Sequence, residues 1–269
     1  MKLSCTNSMV PAGSLTDKAK LLKTWGYDGI SVFFDYGIWD EALHKEILQL
    51  KSNTGIEVCE FAFEGARYGH GRLMDENPEI RRKARNMYKE AAKVCAELGA
   101  VTEVEFEYKA QDPIPMLFPY QKMPPDAEKD FLEMYREVAQ VVQGTEAYVL
   151  IEPVNRYESL YLNCQADAME IVKKLGMPNT GVLSDFFHMS IEERSIVESL
   201  REVGSYIKHI HLGDNNRLLP GLGNIDWETC IQTLKRIGYD RYLNLECSVG
   251  ITPEKALPET ALYIKRLLS

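Results

Sequence analysis

The chain has six cysteines, at positions 5, 59, 95, 164, 230 and 247, but no CxxC pair. Scattered thiols of this kind argue against a disulfide framework or a zinc cluster and suit a reduced, cytoplasmic interior. No strand candidate runs into a GxGxxG or GxxxxGK[ST] turn, so the common phosphate-cradling loops are missing. No window approaches the eighteen or so apolar residues that a membrane span requires. The opening MKLSCTNSMV lacks the charged block and long apolar core of a secretory signal, so none is expected. Basic residues are also short: 31 Lys and Arg stand against 40 Asp and Glu, for a net charge of −9. Duplex nucleic acid is held by basic surfaces that displace counterions, and this balance argues against such a partner. A small neutral substrate or a divalent cation stays compatible with it.

What is present is a regular alternation. Short β-branched or apolar runs occur at 2–6, 29–34, 56–62, 101–106, 148–152, 181–186, 206–212 and 242–247. Between them lie helical patterns, such as Leu15, Ala19, Leu22 and Trp25, and again Ile231, Leu234 and Ile237. Gly26, Gly176 and Gly238 follow such patterns where a left-handed helix cap belongs. Eight strands alternating with eight helices imply a parallel sheet, because parallel neighbours need a crossover helix. In 269 residues with no linker or repeat, the α/β class closes most naturally as a single (β/α)8, or TIM, barrel domain over residues 1–269. Two connections exceed what packing requires, at 64–77 and 107–125, and both fall on the C-terminal rim where such barrels build active sites.

Four polar residues close consecutive strands at that rim: Glu152, Asp185, His211 and Glu246. They are spaced about one βα unit apart. Three crowded carboxylates repel one another unless a counter-charge intervenes, and a divalent cation supplies it. Oxygen ligands with one imidazole suit manganese first, magnesium or cobalt next, and zinc last. The competing reading is four unrelated strand-end residues, each satisfied by neighbours or water. His188, three residues after Asp185, can be a further ligand, a substrate hydrogen-bonder or a structural residue. His209 points to the same face as His211 one layer deeper and reads as core or as support for the site. His44 has no spacing that compels a role, and His70 enters only because its loop overhangs the mouth.

IEPVNRYESLYLNC (151–164), VLSDFFHMSIEE (182–193), HIHLGDNNRLLPGLGNIDW (209–227) and LNLEC (243–247) resemble the ketose 3-epimerases, the D-tagatose and D-allulose 3-epimerase group of the xylose isomerase-like TIM-barrel superfamily. E-x-x-N-R-x-E, D-x-x-H-M and H-x-G-x-N-N-R-x-x-P-G carry the resemblance together. It implies a metal-dependent sugar isomerase or epimerase, with Glu152, Asp185, His211 and Glu246 as ligands. Glu152 and Glu246 would also form the acid–base pair, one removing the proton beside the carbonyl to give a cis-enediolate and the other returning it to the opposite face. His188 and Arg217 would hold substrate oxygens and Glu158 would orient one of them. Asp214, Asn215 and Asn216 would complete a polar wall facing the sugar hydroxyls.

The first half departs from that pattern. EFAFEGARYGHG and EFEYKAQDPIPMLFPY replace the usual strand-3 and strand-4 endings, and strand 8 closes with LECS. Tyr68, Phe118 and Tyr120 in the rebuilt loops suit a bulky or aromatic substituent, or else loop packing or a subunit interface. A runner-up activity follows: a lyase cleaving 3-oxo-glycosides by the same deprotonation, similar to C-glycoside deglycosidases and their small β-rich partner subunit. A non-catalytic barrel subunit is the third possibility. The abasic-site endonucleases of the superfamily need a three-zinc cluster fed by more histidines than the five here. The expected partner is a small carbohydrate, with no nucleic acid and no membrane. A homo-oligomer is expected, with PIPMLFPY as an apolar patch.

Overall fold

A computed structural model describes residues 1–64, 72–106, 122–250 and 252–269. Eight parallel strands close into a barrel in sequence order. They are β1 (Lys2–Thr6), β2 (Gly29–Asp35), β3 (Glu57–Glu64) and β4 (Val101–Val104), then β5 (Tyr148–Ile151), β6 (Thr180–Asp185), β7 (Ile207–Leu212) and β8 (Tyr242–Leu245). Closure is made by β1 on β8, where Lys2 pairs with Tyr242 and Cys5 with Leu245. The expected (β/α)8 barrel is the observed fold.

Among the described residues the helices are α1 (Leu15–Thr24), α2 (Glu41–Thr54), α3 (Pro78–Leu98), α4 (Pro125–Ala139) and α5 (Gln165–Leu175), followed by α6 (Phe186–Glu192), α7 (Ile196–Val203), α8 (Trp227–Arg236) and α9 (Pro253–Leu268). Local chemistry explains where they begin. Ser14 accepts the Asp17 N–H, Asp40 the Leu43 N–H and Asp226 the Thr229 N–H, each satisfying an orphan donor of a first turn. The apolar stripe of α1 packs inward, with Leu15, Ala19 and Leu22 buried. Each of the two leucines contributes about 1.5–3 kcal/mol through burial. Gly176 caps α5 at φ 65°, a left-handed conformation that favours glycine.

The sequence pattern anticipates one helix per crossover, yet two lie between β6 and β7. The extra one, α6, starts directly off the strand because Asp185 is itself its N-cap, accepting from the N–H groups of Phe187 (2.6 Å) and His188 (3.4 Å). Strands β4, β5 and β8 are shorter than their apolar runs suggest. Glu152 and Glu246 therefore sit just past their strands, though each still donates its N–H across the rim, to Val104 O (3.1 Å) and Leu212 O (3.2 Å).

A small apolar cluster of Val101, Leu150 and Leu183 is separate from the main core. A polar layer is buried with it, including Glu60, Glu103, Glu152, Asp185, His209, His211 and Asn244. No described helix is long and apolar enough to cross a membrane. All six cysteines are free thiols.

Candidate active site

Strand register assembles the site. Asp185 on β6 is paired with His211 on β7, and His211 in turn with Asn244 on β8. Ligand-type atoms of Glu152, Asp185, His211 and Glu246 all lie within 4.8 Å of one another, so the four strand-end residues do converge. His211 Nδ1 stands between the two glutamates, 3.4 Å from Glu152 Oε1 and 3.3 Å from Glu246 Oε2. Among the described residues, His211 Nδ1 and Glu152 Oε1 are buried with no hydrogen-bond partner. Buried polar atoms without partners are costly, and here they point at a common centre. Three carboxylates and one imidazole nitrogen are a donor set that fits a divalent cation.

The electrostatics agree with that crowding. Burial, reinforced by the charge of Glu246, pushes Glu152 up to about 7. Burial acts on Glu246 in the same sense, but His211 and Arg217 outweigh it and hold that carboxyl well below its ordinary value. His211 is raised, because Glu60 and Glu246 overcome the desolvation that would lower it, whereas desolvation lowers His209.

Arg217 reaches the cluster from the β7–α8 loop, donating to Asp185 Oδ2 (2.7 Å) and Glu246 Oε2 (2.8 Å). Its guanidinium lies over the Phe187 ring, 4.7 Å from the centroid. Its backbone is left-handed at φ 58°, unusual for a non-glycine residue, and is held by the Ser248 N–H donating to its carbonyl at 2.7 Å. His188 is buried on α6, and its Nδ1 accepts the backbone N–H of Asn155 at 3.1 Å. A nitrogen that accepts carries no proton, so neutral His188 is protonated at Nε2, the atom 3.9 Å from Asp185 Oδ2. Asn155 Nδ2 also donates to Glu158 Oε1 at 2.7 Å. Arg156 grips Glu192 of α6 through Nε and Nη2, both at 2.8 Å, which ties the β5 loop to the helix that carries His188.

The polar wall expected of Asp214, Asn215 and Asn216 is corrected by the structure. Asp214 is fully buried and spends its carboxylate on its own loop, accepting from the N–H groups of Asn215 (2.9 Å), Gly221 (2.9 Å) and Ile225 (3.2 Å) and from Trp227 Nε1 (2.8 Å). Asn215 Oδ1 accepts the Asn224 N–H, and Asn216 donates to Leu222 O. A loop this polar satisfies itself before it faces a ligand, and only Arg217 of the four extends to the cluster. Gly223 is needed there, because a Cβ would lie 2.2 Å from Asp214 Oδ1.

Two buried acids lie outside the four-residue ligand set read from the sequence. Glu60 on β3 lies 3.0 Å from His211 Nε2 through both of its oxygens, and 3.3 Å from His209 Nε2 through Oε2. Glu103 on β4 groups with Glu105 and Glu152, and burial pushes it well above the usual carboxyl range. Both sit inside strands whose two faces are buried, so alternation gave no warning; the acidic letters in CEFAFE and VTEVEF were the available signal. His44 lies on α2, 3.2 Å from Glu97 and beside Trp39. Tyr68, His70, Phe118, Tyr120 and the PIPMLFPY segment lie outside the described residues.

Comparison with known proteins finds relatives in sequence and in fold. A D-psicose 3-epimerase of Ruminiclostridium cellulolyticum is 33% identical over 188 residues, 66% of this chain and 61% of the relative, so the chain spans less than two thirds of that relative's length. A 3-dehydro-D-guloside 4-epimerase of Escherichia coli is 32% identical over 111 residues, 41% of this chain and 42% of that protein. The fold of a 3-keto-D-glucoside 4-epimerase from E. coli superposes with a TM-score of 0.83 over 99% of both chains at 23% identity. The profile of the xylose isomerase-like TIM barrel family matches residues 19–267, nearly the whole barrel, and the chain belongs to that family.

Proposed function

We propose that this chain, acting as one barrel domain over residues 1–269, is a divalent-metal-dependent sugar epimerase that works by proton abstraction beside a carbonyl. The observation that carries the reading is the convergence of Glu152, Asp185, His211 and Glu246 on one point, with the Glu152 and His211 atoms that face it lacking other partners. These four would hold the cation, which when bound supplies a Lewis acid for the oxygens of the carbonyl and the neighbouring carbon. Manganese is the first choice, then magnesium or cobalt.

Glu152 and Glu246 come from the ends of β5 and β8 and lie 3.4 and 3.3 Å from His211 Nδ1, and in this reading each would serve one face of a sugar bound there. One takes the proton to leave a cis-enediolate, and the other returns a proton to the opposite face, inverting the centre. Arg217, already within bonding reach of Glu246, and the Nε2–H of His188 would hold substrate oxygens, with Glu158 orienting a hydroxyl.

The relatives frame the substrate. One is named for D-psicose and carbon 3, another for a 3-dehydro-glycoside and carbon 4. In both the labile proton neighbours a ketone, and we read this chain as ketose 3-epimerase-like. The 3-oxo-glycoside lyase shares the first step, but the named relatives return the proton, and this favours epimerisation over loss of an aglycone and over a non-catalytic subunit. Free thiols throughout agree with a cytoplasmic setting, and a homo-oligomer is expected. The test is incubation of the manganese-loaded protein with a ketohexose, and separately with a 3-oxo-glycoside, in deuterium oxide. Deuterium at the carbon beside the ketone with an inverted product supports the reading. Released aglycone would move the chain to the lyases, and no exchange with either substrate would defeat it.

A further inference from the structure

We infer that Glu60 is a positioning residue that keeps the proton of His211 on Nε2 and thereby reserves Nδ1 for the cation; this rests on reading the four strand-end residues as a cation site. Glu60 projects from β3, on the far side of the barrel from β7, and is fully buried. Both of its oxygens lie 3.0 Å from His211 Nε2. A carboxylate only accepts, so Nε2 must donate, and a protonated ring nitrogen has no lone pair to offer a metal. The remaining nitrogen, Nδ1, is the one that faces Glu152 and Glu246.

The carboxylate form of Glu60 is held in place. Its two oxygens are equally near His211 Nε2, an arrangement that suits an accepting carboxylate rather than a carboxyl with one protonated oxygen. His209 closes on it from the layer beneath, its ring edge-on to His211 at 5.3 Å, with Nε2 3.3 Å from Glu60 Oε2. A fourth buried carboxylate beside three others is expensive unless it does something for the site. Orienting a ligand imidazole is what such acids do around metals, where the outer carboxylate fixes the tautomer and the ring plane. Glu60, His209 and His211 also converge closely enough to be considered as a second cation site. That arrangement would require His211 to bridge two cations as an imidazolate, surrendering a second, far less acidic proton, and the direct Glu60–Nε2 hydrogen bonds make it the weaker reading.

The test compares wild type, Glu60→Gln and Glu60→Met, prepared metal-free and titrated with manganese by calorimetry, with thermal melts of the metal-free proteins as the folding control. The expected result is one equivalent in all three and an affinity roughly 10–100-fold weaker in both variants. Nitrogen-15-labelled histidine in zinc-loaded wild type, which needs no variant, should show Nδ1 bound to metal and Nε2 protonated. Zinc on Nε2, or variants that bind within twofold of wild type, would overturn the role of Glu60. Two equivalents in wild type falling to one in Glu60→Met would make Glu60 a ligand instead. A wild type that takes up no cation would defeat the cation-site reading itself, an outcome distinct from the others.

Discussion

Asn155 grips the imidazole of His188 twice at the same nitrogen, its backbone N–H donating to Nδ1 at 3.1 Å and its side-chain Nδ2 lying 2.8 Å from that atom. The pair fixes which face of His188 carries a proton, and it turns Nε2–H toward Asp185 and the carboxylate cluster. Asn155→Ala removes the side-chain contact to His188, worth about 1 kcal/mol, and with it the bonds to Glu158 Oε1 and from the Tyr157 N–H. The expected effect is a KM raised roughly fivefold with kcat little changed, because the backbone donor still sets the tautomer. Steady-state kinetics on the accepted sugar decide this, and a fall in kcat alone would contradict a substrate-holding role for His188.

Glu152→Gln and Glu246→Gln each delete one proton-transfer group while keeping shape. In each variant solvent deuterium exchange beside the carbonyl should fall by about 10²–10⁴-fold for the epimer whose proton that carboxylate removes, and interconversion of the two epimers should fall with it. Exchange retained for both epimers in Glu246→Gln would rule out the two-carboxylate mechanism.

A chelator should abolish turnover, and added manganese should restore it. A cation present at 100 times its Kd stabilises a folded protein by about 2.7 kcal/mol, equivalent to a melting shift of roughly 5–10 °C at this chain length. Scanning calorimetry with and without manganese measures that shift, and identical melts would argue against a resident cation.

Asp214→Ala takes the acceptor from Trp227 Nε1 and from the N–H groups of Gly221 and Ile225. With several buried donors stranded, a loss of about 3 kcal/mol is expected in urea unfolding. Activity should fall with it, since Arg217 N donates to Asp214 O and leaves from the same loop.

Acid stability has a local contributor at the other end of the barrel. Hydrogen bonds from Lys2, Lys51 and Tyr242 hold Glu57 down at about 2. Its folded pKa is below the unfolded value of about 4.3, so its stabilisation is complete above that pH and is lost as pH falls towards 2. Glu57 is partly exposed, which limits the effect to under about 1 kcal/mol. Urea midpoints from pH 6 to 2 should decline less steeply in Glu57→Gln than in wild type, and parallel curves would assign the acid limb to other groups.

The strand ends were legible because apolar strands make a terminal acid or histidine conspicuous. Glu152, Asp185, His211 and Glu246 could each be picked out that way, and the helix stripe through Leu15, Ala19 and Leu22 could be read from its period. Glu60 could not. It lies inside a strand buried on both faces, where alternation does not separate the barrel interior from the helix-facing side, and its partner His211 is 151 residues away. Asp214 misled in the opposite direction. Its polar neighbours suggest a ligand-facing wall, whereas the fold turns its carboxylate onto three donors of its own loop and the indole of Trp227.

By itself the sequence determined the alternation of strands and helices, hence the parallel barrel, and the chemical types at the rim, since both follow from local periodicity and composition. Only the tertiary structure decided which nitrogen of His211 faces the carboxylates, which polar groups are already satisfied and which remain to receive a ligand. Those outcomes depend on contacts across the closed barrel, between residues far apart in the chain, and a local pattern carries no record of them.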